Sequence, residues 1–200
     1  LLIPEKYGGI GGTPLDYAIL LEELAVADLG MANAFHVCMS MSELIAKTGT
    51  EEQCERWLVP MAEDETGTWM ISFGCTEPSG GSEIFCPLPD PKLGTKTVAR
   101  KDGDDYIING RKVFSSNAGV AKICGCLART DTSKPNMESC SMFLFPLETP
   151  GFTVGTVENK MGTRSSVNGE MIFEDMRLSK DHLFGEEGSG FETLNAIYDI

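Results

Sequence analysis

The stretch Phe73-Gly74-Cys75-Thr76-Glu77-Pro78-Ser79-Gly80-Gly81-Ser82-Glu83 brings together residue types that can hold a polar, flat ligand. It leaves a strand-like segment and enters a glycine-rich turn. Successive amides in such a turn can form a concave nest for an anion or for the carbonyl oxygens of a ring. Thr76 and Ser82 add hydroxyls at its two ends, and the glycines let a ligand approach the backbone. A second stretch, Asn109-Gly110-Arg111-Lys112-Val113-Phe114-Ser115-Ser116-Asn117-Ala118-Gly119, sets an aromatic at Phe114 and a hydroxyl at Ser116 on one strand face. A third runs Asn159-Lys160-Met161-Gly162-Thr163-Arg164-Ser165-Ser166, followed by Ile172-Phe173-Glu174-Asp175-Met176-Arg177-Leu178. Each has a plain structural alternative: a glycine-rich turn, a core Phe with an exposed Ser, and a loop between two strands.

Other chemistries are harder to place. Gly9-x-Gly11 would need glycine where Pro14 stands, and Gly188-x-Gly190 would need it at Thr193. Neither follows a strand in a βαβ unit, so a dinucleotide fingerprint fails. Seven cysteines (38, 54, 75, 86, 124, 126 and 140) form no Cys-x-x-Cys pair, and only two histidines accompany them. That argues against a zinc site. Several of the cysteines lie in apolar runs, where a free thiol behaves as a small hydrophobe, and this points to a reducing compartment.

The elements that must position these residues fall into two regimes. From Thr13 to about Ala62 the pattern is helical. Thr13-Pro14 reads as a cap followed by proline in the first turn, and Leu15, Ile19, Leu20, Leu24 and Ala27 follow a 3.6 period. Gly30 is expected to break the chain before a second, apolar helix over Met31 to Lys47. Thr50 to Gln53 is a capping box for a third that ends before Pro60. From Thr68 onward the pattern is of short strands: 69–74, 95–100, a hairpin turning at Asn109-Gly110, then 123–129, 141–146, 152–157 and 169–173. After Gly188-Ser189-Gly190 the chain turns helical again over Phe191 to Ile200. The expectation is a multi-domain α+β protein. Residues 1–66 form part of a helical domain, 67–185 an antiparallel β-barrel, and 186–200 the start of a further helical bundle.

The 200 residues carry 30 acidic and 16 basic side chains, a net charge of −14. No run of Lys and Arg offers the basic stripe that nucleic acid requires. The 42% hydrophobic content argues against disorder. No apolar stretch approaches the ~20 residues of a membrane span, and no signal peptide is visible. The chain opens at Leu1 without a Met and reads as a fragment whose start lies upstream.

Taken in order, the motifs resemble those of the acyl-CoA dehydrogenase family. Tyr7-Gly8-Gly9 resembles the start of its helical domain. Thr76-Glu77-Pro78 with Gly81-Ser82-Glu83 is similar to its Thr-Glu-Pro-x-x-Gly-Ser-Asp signature. Asn109-Gly110-x-Lys112, Met161-Gly162-x-Arg164, Phe173-Glu174-Asp175-x-Arg177 and Gly188-x-Gly190-Phe191 match the later ones. The resemblance spans the whole chain.

It implies FAD as cofactor, an acyl-CoA thioester as substrate and an electron-transfer flavoprotein as electron acceptor. It also implies a homodimer or homotetramer, in the cytoplasm or, in a eukaryote, the mitochondrial matrix. The ring edge would rest on Phe73, Cys75 and Thr76. Phe114 takes the place of an aromatic that is commonly Trp. Ser116 takes that of a Thr whose hydroxyl approaches flavin N5. Gly81 and Ser115 complete the cofactor set. Ser82 would touch both the cofactor and the pantetheine arm, Ser139 would lie near CoA, and His36 would line the acyl pocket. The catalytic base and the residues that hold the FAD pyrophosphate are expected beyond Ile200, so no catalytic residue is assigned within the chain. Two other readings keep the resemblance: a flavin oxidase or monooxygenase on the same fold, and a truncated binding or assembly module.

Overall fold

The computed structural model describes residues 1–87 and 89–196. Three helices come first: α1 (Pro14–Ala27), α2 (Leu29–Thr48) and α3 (Glu51–Ala62). Their starts follow local chemistry. Thr13 caps α1 through a reciprocal box with Asp16, with Pro14 in the first turn, and Thr50 caps α3 through the same device with Gln53. Three details differ from the sequence reading. The break before α2 falls at Asp28, whose carboxylate accepts from the Met31 amide at 2.9 Å. Gly30 lies inside the first turn of α2, where the 163–166 loop passes so close that a Cβ would meet the Ser165 hydroxyl at 2.3 Å. And α3 runs through Pro60 to Ala62, since a proline in a last turn forfeits only one backbone bond.

Eight strands follow: β1 (Ile71–Gly74), β2 (Val98–Asp102), β3 (Asp105–Ser116), β4 (Ile123–Arg129), β5 (Cys140–Pro146), β6 (Phe152–Val157), β7 (Asn168–Ser179) and β8 (Leu183–Phe184). A short helix, α4 (Gly190–Asn195), closes the described part. The expected helix over 191–200 lies partly outside the described residues. The sheet order is β6-β7-β3-β2-β4-β5-β8, with β1 on the free edge of β4. It is not the closed antiparallel barrel that the strand pattern suggested. Its β1·β4 and β2·β4 pairings are parallel, and β2 meets β4 at the single pair Val98↔Arg129. One end of the order is the two-residue β8, which pairs only with β5, so the sheet is not closed.

The sheet nonetheless curls over itself. β4 is buried along its whole length because both of its faces are covered. Ile123 and Leu127 belong to the core shared with Leu44, Ile45, Trp57 and Leu58 of the helices. Cys124, Cys126 and Ala128 belong to the core inside the curl, with Ile108, Phe145, Phe152 and Phe173. This is the period-2 alternation of a strand with apolar neighbours on both sides.

The Asn109-Gly110 pair does not form the expected hairpin. β3 runs straight through it, and the β2–β3 turn is Gly103-Asp104. Asn109 and Gly110 sit instead at a bulge against β7. Asn109 donates through Nδ2 to Asp175 at 3.0 Å and accepts from its amide at 2.9 Å. Gly110 has φ 149°, and a Cβ there would lie 2.6 Å from the Thr97 Cα. The positive-φ preference that suggests a turn serves here for close backbone approach. Gly110→Ala is therefore expected to cost about 2–3 kcal/mol. Thermal unfolding checks this. A melting temperature within a degree of the parent would show that the segment at Thr97 yields without cost.

Candidate functional site

A cleft of about 480 Å³ opens between the helices and the curled sheet. Its sheet side carries Phe73, Cys75 and Thr76 from β1 and the residues after it, together with Val113, Phe114, Ser115 and Ser116 from the end of β3. Its helical side carries Tyr17, His36, Val37, Ser40 and Met41. The residues singled out in two separate stretches of sequence thus face one space. No Asp, Glu, Lys or Arg is among the described residues that line it. No group of three or more potential metal ligands occurs among the described residues.

A break in register brings Phe114 there. Val113 and Phe114 both stand opposite Glu170 of β7, because the pairing jumps from Lys112↔Met171 to Ser115↔Gly169. Along β3, Tyr106, Ile108, Gly110 and Lys112 share the inward face. Without the bulge Phe114 would continue that set into the core, since one extra residue flips every later side chain. Phe114 instead has φ 58° and is 59% exposed, while Ser115 turns inward. An aromatic in the left-handed region is strained, and such strain persists only where neighbours enforce it. Asn168 enforces it here: its Nδ2 donates to the Phe114 carbonyl at 2.9 Å and to the Ser116 hydroxyl at 3.1 Å. Asn117, 1% exposed, then ties the end of β3 to both walls, donating to the carbonyls of Ala34 in α2 and Ile71 in β1.

Beneath the sheet wall lies a buried ion pair. Lys112 Nζ is 2.8 Å from Glu77 Oε1, with both side chains almost wholly buried. Nζ also donates to the Cys75 carbonyl at 3.2 Å. The Glu77 carboxylate accepts in addition from the amides of Lys96 and Thr97 at 2.6 and 2.9 Å. Burial pushes the carboxyl up, but the Lys112 charge and the hydrogen bonds from Lys112 and Thr97 outweigh it and hold Glu77 below its ordinary value. The pair fixes the backbone that carries Cys75 and Thr76, while the Thr76 carbonyl accepts from the Val113 amide at 2.8 Å. Burial also pushes the Cys75 thiol up to about 12. It is therefore a neutral thiol at physiological pH and contributes a small apolar wall rather than a nucleophile.

Other expected residues are placed differently. Gly81 lies beside the cleft, its backbone next to the Thr76 methyl, and Ser82 is exposed at the start of a short 3₁₀ turn outside the cleft lining. The amide nest does not form in the way the glycines suggested. The Glu77 and Gly80 amides bond to each other's carbonyls, and the Gly81 amide donates to the Glu83 carboxylate at 2.9 Å. Ser139 is fully buried away from the cleft. Its hydroxyl accepts from Arg129 Nε at 3.0 Å and donates to the Asn136 carbonyl at 3.2 Å, which uses its bonding capacity in holding the 130–139 loop. His36 does line the cleft. Sequence reasoning missed Glu77 with Lys112 as a pair, and also Asn117, Asn168, Tyr17 and Ser40. A readable signal existed for the pair: a lysine at an inward position of a strand demands a buried counter-charge.

Replacing Lys112 with Met should cost about 3–5 kcal/mol at neutral pH, because it leaves Glu77 buried without its partner. The double variant Glu77→Gln/Lys112→Met should recover most of that loss. The folded pKa of Glu77 is lowered, so the stability it contributes is present above its ordinary value of 4.5 and is lost as pH falls through the folded value. The gap between parent and Lys112→Met should therefore narrow as pH falls: the buried, unpartnered Glu77 of the variant takes up its proton above pH 4.5, and that of the parent only below it. Urea unfolding across pH reads both effects, and a gap independent of pH would count against this account.

The family model described as the acyl-CoA dehydrogenase N-terminal domain matches residues 1–65, and that for the middle domain matches residues 72–176. A curated relative, the short-chain-specific acyl-CoA dehydrogenase of Megasphaera elsdenii, is 39% identical over 200 residues. The match covers 98% of this chain and 49% of the relative, so the chain spans about half of that protein's length. Among solved structures, a chain of the electron transferring flavoprotein structure from Acidaminococcus fermentans superposes with a TM-score of 0.88 at 36% identity, over 100% of this chain and 50% of that one. The acyl-CoA dehydrogenase complexed with FAD from Bacillus anthracis superposes with a TM-score of 0.83 at 31% identity, over 98% of this chain and 31% of that one. The two matching family models, the extent of these similarities and the shared motifs agree: the chain belongs to the acyl-CoA dehydrogenase family.

Proposed function

We propose that this protein oxidises the α,β-bond of a short-chain acyl-CoA thioester with FAD as cofactor and passes the electrons to an electron-transfer flavoprotein. One observation carries the reading. Phe73, Cys75, Thr76, Phe114, Ser115 and Ser116, chosen from two distant stretches for flavin contact, line a single cleft. The cleft also fits the group. Its sheet wall is apolar and aromatic at Phe73 and Phe114, with hydroxyls at its edges, which suits a flat heteroaromatic ring. FAD, when bound, supplies the acceptor for the hydride that leaves the β-carbon.

The chain's own residues position the reactants and exclude water. Phe114 would pack against the ring, and Ser116, held by Asn168, would present its hydroxyl at the ring's polar centre. Thr76 would serve the opposite edge, supported by the buried Glu77–Lys112 pair. Removal of the α-proton needs a carboxylate. None lines the cleft among the described residues, and the family resemblance assigns that base to positions past Ile200. We extend the proposal to the homo-oligomeric assembly common in the family. No helix among the described residues is long and apolar enough to cross a membrane.

The full-length protein, purified with FAD and held anaerobically, should lose its oxidised-flavin absorbance on addition of butyryl-CoA. It should then be reoxidised faster by an electron-transfer flavoprotein than by oxygen. A flavin that stays oxidised with every saturated acyl-CoA from butyryl to octanoyl would overturn the reading. Reoxidation by oxygen at the rate of turnover would replace the dehydrogenase with an oxidase.

A further inference from the structure

The helical wall of the cleft carries a polar cluster that flavin contact leaves unused. Tyr17 comes from α1, and His36 and Ser40 stand one turn apart on the same face of α2. The Tyr17 hydroxyl bonds to His36 Nδ1 and lies 3.1 Å from Ser40 Oγ, which is itself 3.3 Å from Nδ1. The Tyr17 and His36 rings stack, with centroids 6.1 Å apart and planes 20° from parallel. The two hydroxyls and Nδ1 therefore satisfy one another. The second ring nitrogen, Nε2, has no hydrogen-bond partner among the described residues.

His36, itself exposed, lines the cleft beside the apolar Val37 and Met41, so one polar atom of the cluster has no protein partner there. An alkyl chain lying against it would strip water from Nε2 and return no bond, which is the costly case for a polar group. An oxygen at the same place would restore the bond. A hydroxyl serves either tautomer of the ring, because it both donates and accepts. A carboxylate would fare worse. No Lys or Arg among the described residues lines the cleft to balance it, and burial lowers the His36 pKa, which keeps the ring neutral at physiological pH.

We propose that Tyr17, His36 and Ser40 form a specificity subsite for the acyl chain, selecting thioesters that carry an uncharged oxygen, a hydroxyl above all, over the alkyl chain of equal length. This rests on the acyl-CoA reading above and names the substrate class within it. His36 is the contact residue. Tyr17 and Ser40 are positioning residues that hold its ring.

The test uses the full-length, FAD-loaded protein and an isosteric pair, 5-hydroxypentanoyl-CoA and hexanoyl-CoA, with butyryl-CoA as reference. The hydroxylated thioester should show a kcat/KM about tenfold above hexanoyl-CoA, the factor expected of one hydrogen bond. His36→Leu should reverse the preference. Tyr17→Phe, which removes one oxygen and keeps the ring, should narrow it several-fold. Equal or better use of hexanoyl-CoA by the parent overturns the subsite, as does a preference that survives in both variants. Turnover of butyryl-CoA with neither longer thioester accepted also overturns it. Failure of all three thioesters to reduce the flavin overturns instead the acyl-CoA reading on which the subsite rests.

Discussion

A lysine ammonium and a glutamate carboxylate buried together must answer each other, and in this protein that requirement organises the site. Lys112 lies on the inward face of β3, among positions otherwise filled by Tyr106 and Ile108. Glu77 comes from a turn that begins after β1. Their 2.8 Å contact joins two segments far apart in sequence. The carboxylate's remaining capacity is taken by the Lys96 and Thr97 amides at the approach to β2. Three parts of the sheet therefore meet at one pair of charges. A buried pair adds little net stability compared with a well-packed apolar alternative, but it tolerates only one arrangement of its partners. What it secures is the position of Cys75 and Thr76, which form one wall of the cleft.

The other wall residues depend on controlled irregularity in β3. A regular strand would have sent Phe114 into the core. The bulge opposite Glu170 reverses the alternation after Lys112 and places Phe114 over the cleft, with Asn168 clamping the strained segment from β7. The bulge at Gly110 acts a few residues earlier, where β3 must pass within van der Waals distance of Thr97. Asn117 then locks the strand end to α2 and β1, so the helical and sheet walls keep their spacing. Amide side chains do this work well, since each can donate to two carbonyls at once in a region short of water.

The cleft itself is electrically quiet. A protein with a net charge of −14 places no ionised side chain in its lining among the described residues, and the Lys112 and Glu77 charges are paired beneath its sheet wall. Its polar groups are hydroxyls, a neutral thiol and a neutral imidazole. Such a surface suits a ring that changes redox state, because no fixed charge in the lining favours one state by direct contact. It is also what would let a single open nitrogen on His36 count in the proposed choice of acyl chain.

Local signals in the sequence determined much of this. The cap at Thr13, the capping box at Thr50 and the spacing of the motifs place most helices and strands and mark both cleft-facing stretches, because caps, period and turn residues act over a few positions. The exceptions have two kinds of cause. Asn109-Gly110 reads as a turn and is a bulge. Pro60 reads as a stop and lies within a helix. The glycine-rich segment after Thr76 reads as an amide nest and closes on itself, and the strand pattern reads as a barrel while the sheet stays unclosed. For Asn109-Gly110 and the sheet, local preference allowed two outcomes and a neighbour distant in sequence selected one, whereas Pro60 and the glycine-rich turn were settled within a few residues. Tertiary structure alone decided that Glu77 answers Lys112, that Phe114 faces outward, that Ser139 is consumed by Arg129, and that Tyr17 and Ser40 hold His36. Those outcomes depend on distances between segments that only packing sets.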